Sequence, residues 1–170
     1  SESRGLGDVY KRQFLLHEPR GGVQKHMNLL VPPINPNADI GWIVMEPEDT
    51  PPMSGSNAIC VVTVLLETGV LEMTEPLTEI TLEAPGGLVR AQAYCEKGKV
   101  FKVEITNLPS FLFRENVNIE VPGVGTIKCD IAFGGDSFVI VDGRLINFSL
   151  SLDEAKDIAS VAVSYTHLTL

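Results

Sequence analysis

The chain has 170 residues and a mass of 18.5 kDa, enough for one domain and too little for most two-domain enzymes. Its 44% hydrophobic and 21% charged residues are a globular composition that argues against disorder, and no apolar run approaches the roughly 18 residues a membrane span needs. The net charge of −9, from 22 acidic against 13 basic residues that are scattered along the chain, argues against nucleic-acid binding, which rests on clustered Lys and Arg.

Cys60, Cys95 and Cys129 are odd in number and far apart, so they make no disulfide framework, and no CxxC or Cys/His cluster points to zinc. No charged-then-apolar leader is visible, and a reducing cytoplasm is the expected location. The sequon Asn147-Phe148-Ser149 is read as chance. The two ends, Ser1 to Gln13 (SESRGLGDVYKRQ) and Ser164 to Leu170 (SYTHLTL), lack the pattern of the chain between them. They resemble translated sequencing-adapter segments, are expected to be non-native and to pack poorly, and are set aside from fold reasoning. One incomplete domain, residues 14–163, is expected between them.

In chain order, Phe14 to Pro36 holds the apolar run Phe14-Leu15-Leu16, a Gly21-Gly22 turn, a second apolar run from Met27 to Val31 and a Pro32-Pro33 stop. Gly41 to Met45 (GWIVM) reads as a short strand ended by Glu46-Pro47, and Pro51 to Ser56 as a tight loop. Asn57 to Thr68 (NAICVVTVLLET) is ambiguous by propensity, because Val61, Val62, Thr63 and Val64 are β-branched. Ser54 and Ser56 as candidate N-caps, a helix-like length and Gly69 at the C-terminal stop all favour helix. Apolar residues occupy every side of it, so burial all round is expected, with Ile59, Cys60, Val62, Val64 and Leu66 mostly inside.

Strands follow at Glu79 to Leu82, Leu88 to Cys95 and Lys99 to Asn107, with turns at Pro85-Gly86-Gly87 and Lys97-Gly98. In the third of these, Phe101, Val103 and Ile105 alternate against Val100, Lys102, Glu104 and Thr106, as in a half-buried antiparallel strand. Asn116 to Val121, Thr126 to Ala132 and Ser137 to Asp142 add three more, and Ser151 to Ala162 reads as a helix capped by Ser151. The total is about seven strands around one buried helix with a second helix at the end, an α+β domain.

A helix opening from Ser54-Gly55-Ser56 offers unpartnered N–H groups and the positive end of the macrodipole, a ready site for a carboxylate. Gly55 would let a ligand approach the backbone closely. Simple capping by Ser54 and Ser56 explains the same residues, and spacing alone favours it. Other candidates are weaker. His17 and His26 have no metal spacing, Gly21-Gly22 near Lys25 lacks the full phosphate-loop pattern, and Val121 to Gly125 reads as a turn. Cys60, Cys95 and Cys129 read as inert core residues, Asp130 and Asp136 as solvated turn residues, and no Ser/His/Asp set is visible.

Four stretches together resemble the proline racemase and hydroxyproline epimerase family: Leu15 to Gly21 (LHEPRG after Leu15), Pro51 to Asn57 (PPMSGSN), Glu83 to Gly87 (EAPGG) and Asp130 to Gly135 (DIAFGG). Their order and spacing carry the resemblance over nearly all of Phe14 to Ala162. Ser54-Gly55-Ser56 stands where many members have Cys-Gly-His. A branch with serine at this first acid/base position and cysteine at the second includes hydroxyproline epimerases.

The resemblance implies a fold like that of diaminopimelate epimerase: two similar halves, each wrapping a mainly antiparallel or mixed sheet around one buried central helix, with one acid/base residue from each half. On that reading the chain is most of a first half. It lacks the opening strand and the second half with its Asp-Arg-Ser-Pro-Cys-Gly type loop. The implied function is cofactor-independent inversion of the α-carbon of 4-hydroxyproline, with Ser54 catalytic, Gly55 and Ser56 holding the substrate carboxylate, and no metal. Proline racemase and 3-hydroxyproline epimerase or dehydratase are the alternatives within the family. A non-catalytic α+β module that binds a carboxylate at the same helix end is the alternative from another class. The expected partner is a small imino acid, with no nucleic acid and no membrane, and a homodimer is an expectation for the full-length protein.

Overall fold

The computed structural model describes residues 10–47 and 49–169, with side chains through 164. The chain divides into two units, Ser1–Leu108 and Pro109–Leu170. The described part of the first unit opens with helical residues 10–16 (α1). Five strands then form one sheet in the spatial order β1 (Met27–Val31), β2 (Ile40–Met45), β3 (Leu77–Ala84), β4 (Gly87–Glu96) and β5 (Lys99–Thr106). Alternation puts Thr78, Ile80, Leu82 and Ala84 of β3 inside, beside Val89, Ala91, Ala93 and Cys95 of β4. Trp42 and Val44 of β2 are fully buried with them.

All neighbours in this sheet pair antiparallel except β2 and β3, which run parallel with Ile40 opposite Leu82 and Gly41 opposite Glu83. Parallel strands need a crossover, and it is made by α2 (Gly55–Glu67), which packs over β5 and β4. Thr68 caps the helix and Gly69 follows in the left-handed region at φ +73°, the stop expected from the sequence. The Gly69 N–H bonds to the carbonyl of Leu66 and the Leu71 N–H to that of Leu65. Glu67 ties the same end to the sheet: its carboxylate accepts from Lys99 Nζ at 2.7 Å and from the Val100 N–H at 3.0 Å.

In the second unit β6 (Phe111–Val121), β7 (Gly125–Phe133) and β8 (Ser137–Val141) form an antiparallel sheet in that order, and α3 (Ala155–Thr169) packs on β6 and β8. The carboxylate of Glu154 accepts from the N–H groups of Ser151 and Ser149, each at 3.0 Å, at the entry to α3. Those backbone donors hold its carboxyl below the ordinary range. No helix among the described residues is long and apolar enough to cross a membrane.

The α+β class and the mixed, mainly antiparallel sheet match the expectation from sequence. Three details differ. Met27–Val31, an unassigned apolar run in the sequence, is an additional strand. β6 begins at Phe111 rather than Asn116, because two register shifts and a positive φ at Asn116 break the alternation that would mark its start. Phe101, expected inside with Val103 and Ile105, is 66% exposed. A register shift between Tyr94 and Cys95 pairs Cys95 with Val100 and leaves Phe101 unpaired, so the side chains beyond it change face.

The larger correction concerns α2. Burial all round was expected, but only the stripe Asn57, Ala58, Val61, Val62, Leu65 and Leu66 is buried. Ile59 is 42% and Val64 55% exposed, and Cys60 is exposed as well. The sheet covers one face of the helix and leaves its flank and far face open, so apolar residues there stay exposed. Of the segments set aside as non-native, residues 1–9 and 170 lie outside the described residues, as does the side chain of Tyr165. Residues 10–13 belong to α1, where Tyr10 is 68% exposed, and Ser164 belongs to α3.

Two stability experiments follow. Leu65→Ala, at a fully buried position, should cost about 2–5 kcal/mol in denaturant unfolding, whereas Val64→Ala on the exposed side should stay within about 0.5 kcal/mol. Glu67 should also write a pH dependence. The bond from Lys99, then the bond from Val100, hold its carboxyl below the ordinary range, so the folded state binds its proton less readily than the unfolded chain. The stabilisation is present above the unfolded value of about 4.3 and is lost as pH falls through the lower folded value. The difference in melting temperature between the wild-type chain and Glu67→Gln should therefore shrink as the pH is lowered through that window.

Candidate functional site

The loop before α2 is fixed by packing on both sides. Pro51 and Met53 are buried. The Gly86 N–H, at the β3–β4 turn, donates to the Pro52 carbonyl at 3.0 Å. A Cβ on residue 86 would stand 2.5 Å from Leu108 Cδ1 and 3.3 Å from Pro52, so a side chain there would have to displace the Leu108 side chain and press on Pro52. The structure thus brings together two stretches far apart in the sequence, Pro51 to Asn57 and Glu83 to Gly87. A third lies in the same unit, where Leu16 is buried and His17 Nε2 sits 3.2 Å from the Pro47 carbonyl oxygen. The fourth lies in the second unit, where Asp130 accepts from the Asn116 N–H and Asp136 from the Ser137 N–H.

Ser54 occupies the N-cap position with extended backbone, φ −140° and ψ 121°, and its carbonyl accepts the first helical bond from the Ala58 N–H at 2.9 Å. Its side chain does not cap the helix. Instead Ser54 Oγ accepts from Asn57 Nδ2 at 2.9 Å. Simple capping, the interpretation that spacing favoured, therefore does not describe this hydroxyl. The N–H groups of Gly55 and Ser56 find no acceptor among the described residues, and both residues are exposed. Beside the Gly55 Cα no protein atom lies within 4 Å of where a Cβ would stand. The helix end thus presents open donors next to a half-buried hydroxyl, the arrangement a carboxylate needs.

Behind Ser54 lies a group of residues of which the sequence reading considered only His26, as a candidate metal ligand. Asn57 is 7% exposed. Its Oδ1 accepts from Asn28 Nδ2 at 3.0 Å, and Asn28 Oδ1 accepts from Trp42 Nε1 at 2.8 Å. Asn57 Nδ2 also lies 3.2 Å from His26 Nδ1, which is 3.6 Å from Glu46 Oε1. The available signal was a polar residue in an apolar helix expected to be buried: buried amides are hydrogen-bonded, so Asn57 had to have partners.

The remaining candidates stay apart. Cys60, expected in the core, is exposed on the flank of α2, while Cys95 and Cys129 are buried in strands as expected. Burial, then the neighbouring Asp130, pushes the Cys129 thiol up. A shallow groove beside α2 is lined by Asn28, Leu30, Cys60, Val61 and Val64, on the helix flank rather than at its N-terminus. No three His, Cys, Asp or Glu side chains among the described residues are placed to hold a metal ion.

Comparison with known proteins adds a family and a fold. The sequence model of the family described as proline racemase matches residues 7–169. The structure of a probable proline racemase from Agrobacterium radiobacter K84, with bound carbonate, is 40% identical. It superposes with a TM-score of 0.89 over 95% of this chain and 48% of that one. A hydroxyproline epimerase from Agrobacterium vitis, with bound trans-4-hydroxy-L-proline, is 37% identical, with a TM-score of 0.84 over 91% of this chain and 45% of that one. Methylitaconate-delta-isomerase, at 13% identity and a TM-score of 0.54, shares the fold. The chain spans just under half the length of the two closely similar structures.

The bond between Ser54 and Asn57 can be checked by stability alone. Ser54→Ala removes the acceptor of a buried amide N–H and should cost about 1–3 kcal/mol. A hydroxyl that capped the helix would be lost at equal cost in any background. Here the cost should fall substantially in an Asn57→Ala background, giving a coupling of about 0.5–3 kcal/mol in a double-mutant cycle followed by urea unfolding.

Proposed function

Since this chain belongs to the proline racemase family, whose members are racemases and epimerases, we propose that it supplies one of the two acid/base groups of a 4-hydroxyproline epimerase, and that Ser54 is that group. The observation that carries the proposal is the state of the Ser54 hydroxyl. Its oxygen is engaged as an acceptor from Asn57, it makes no cap bond, and it borders the open N–H groups of Gly55 and Ser56. Among the described residues its own proton has no acceptor, next to the place where a carboxylate would dock.

The chemistry follows from that placement. Inverting the α-carbon of an imino acid means removing a proton from one face and supplying one to the other, and two acid/base groups on opposite faces suffice without a cofactor. The carboxylate gains negative charge as the α-proton leaves, and the fixed dipoles of the Gly55 and Ser56 N–H groups stabilise that charge. A serine hydroxyl is a poor base, so Ser54 acts first as the protonating partner. Its O–H bond breaks as the new Cα–H bond forms, while a base from the second half takes the original α-proton. The Asn57 N–H remains on the oxygen that becomes negative.

The carbonate and the trans-4-hydroxy-L-proline bound in the two similar structures support a small carboxylate ligand. Proline is the alternative substrate, favoured by the description of the more similar structure as a proline racemase. The open helix end also supports a second reading, in which the chain by itself binds a carboxylate and does no chemistry.

The chain joined to its second half, incubated with trans-4-hydroxy-L-proline in D₂O, should take up deuterium at Cα and yield cis-4-hydroxy-D-proline. Ser54→Ala should lower that rate by at least about 10²-fold while circular dichroism shows the helix intact. Undiminished epimerisation by Ser54→Ala would remove Ser54 from the mechanism. Turnover of proline in place of hydroxyproline would change the substrate and leave the site standing. The 170-residue chain alone should show no turnover, because it holds only one of the two proton-transfer groups.

A further inference from the structure

We propose that Asn57 is a positioning residue for this site, held in one orientation by a one-way hydrogen-bond relay that starts at the Trp42 indole and ends on Ser54 Oγ. The inference rests on the reading of Ser54 as an acid/base group and extends it to what keeps that hydroxyl in the donating state.

The direction of the relay follows from the chemistry of its first member. An indole N–H donates and cannot accept. Trp42 Nε1, on a fully buried residue, therefore obliges Asn28 to turn its Oδ1 toward the ring, at 2.8 Å. The Asn28 Nδ2 must then point the other way, and it meets Asn57 Oδ1 at 3.0 Å. With its oxygen so occupied, Asn57 presents Nδ2 to Ser54 Oγ at 2.9 Å and to His26 Nδ1 at 3.2 Å. A flipped Asn57 would set two donors, its own Nδ2 and that of Asn28, against each other, and would leave Ser54 facing an acceptor. The chain of bonds excludes that arrangement, and every amide in it is assigned without choice.

Two consequences bear on Ser54. Receiving a donor, Oγ turns its own proton away from Asn57. The same donor stabilises the oxygen once it has lost that proton, because a hydrogen bond to the charged form favours the charged form. The relay is built on the sheet and the helix: Asn28 on β1, Trp42 on β2 and Asn57 on α2. Rigid elements hold such geometry better than loops do.

The effect can be read on the 170-residue chain without substrate or second half. Ser54→Cys puts a titratable thiol in place of the hydroxyl, and Cys60→Ala removes the exposed thiol that would compete. Cys95 and Cys129 are buried. The pH midpoint of alkylation by iodoacetamide then reports the acidity of Cys at position 54. A purely structural role for Asn57 would change the limiting rate or the melting temperature and leave the midpoint where it was. Adding Asn57→Leu should raise the midpoint by about one pH unit, about tenfold less thiolate at any pH below both midpoints. Trp42→Phe, which removes only the first donor and lies far from the thiol in the relay, should raise it in the same sense by a smaller amount.

An unmoved midpoint in either variant, with the helix intact by circular dichroism, overturns the proposal. Should Asn57→Leu fail to fold, Trp42→Phe decides. In the two-half protein Asn57→Leu should lower kcat far more than it changes KM. Failure of the underlying reading is a separate event: it appears as undiminished turnover by Ser54→Ala, whatever the thiol midpoint does.

Discussion

The parallel pairing of β2 with β3 is the constraint on which the first unit depends. Strands that run the same way cannot be joined by a turn, so the chain leaving Met45 must cross and return before Leu77. α2 is that crossing, and its position over β4 and β5 is a consequence of it. The loop entering the helix is held against the β3–β4 turn by the Gly86 N–H to Pro52 carbonyl bond. The leaving end is held to β5 by Glu67, through Lys99 and the Val100 N–H. With both ends tied, the helix N-terminus has one place to be, and Ser54, Gly55 and Ser56 inherit it.

This division explains what could be read from the sequence. The helix was legible because small residues precede it and Gly69 follows it, and the strands because alternation and glycine turns are local features. Ser54 to Ser56 was legible as a place, since a helix start is local as well. The burial of each face of α2 was not legible, because it depends on which strands cover the helix, and Ile59 and Val64 are as apolar as Val62 and Leu65. Phe101 was misplaced for a similar reason. One register shift opposite Cys95 turns the side chain outward, and nothing in the alternation of residues 99–107 marks it.

The state of the Ser54 hydroxyl was least legible of all, because the chain of bonds that orients its partner Asn57 runs through three elements. Asn28 and Asn57 are 29 positions apart in sequence and bonded in space. An asparagine on the inner side of an apolar helix carries a cost unless both ends of its amide are satisfied. Here both are, and no described buried side-chain nitrogen or oxygen lacks a partner. A polar network that is fully satisfied specifies one arrangement of its members, whereas a partly satisfied one would permit several. The donor-only indole makes that specification directional as well as unique.

The site consequently uses two kinds of donor for two negative charges that would develop side by side. Backbone N–H groups at the end of α2 are aimed outward, where a carboxylate would lie, and side chains could not replace them without filling the open space beside Gly55. The hydroxyl oxygen of Ser54 takes none of those donors, since its cap bond is not made, and accepts from Asn57 Nδ2 instead. A side-chain amide one turn along the helix is the donor that reaches, and asparagine at residue 57 does so while its oxygen remains on Asn28. On the proposed reading, separating the two sets of donors would keep the charge of a carboxylate from competing for the hydrogen bond that the serine oxygen would need as its proton left.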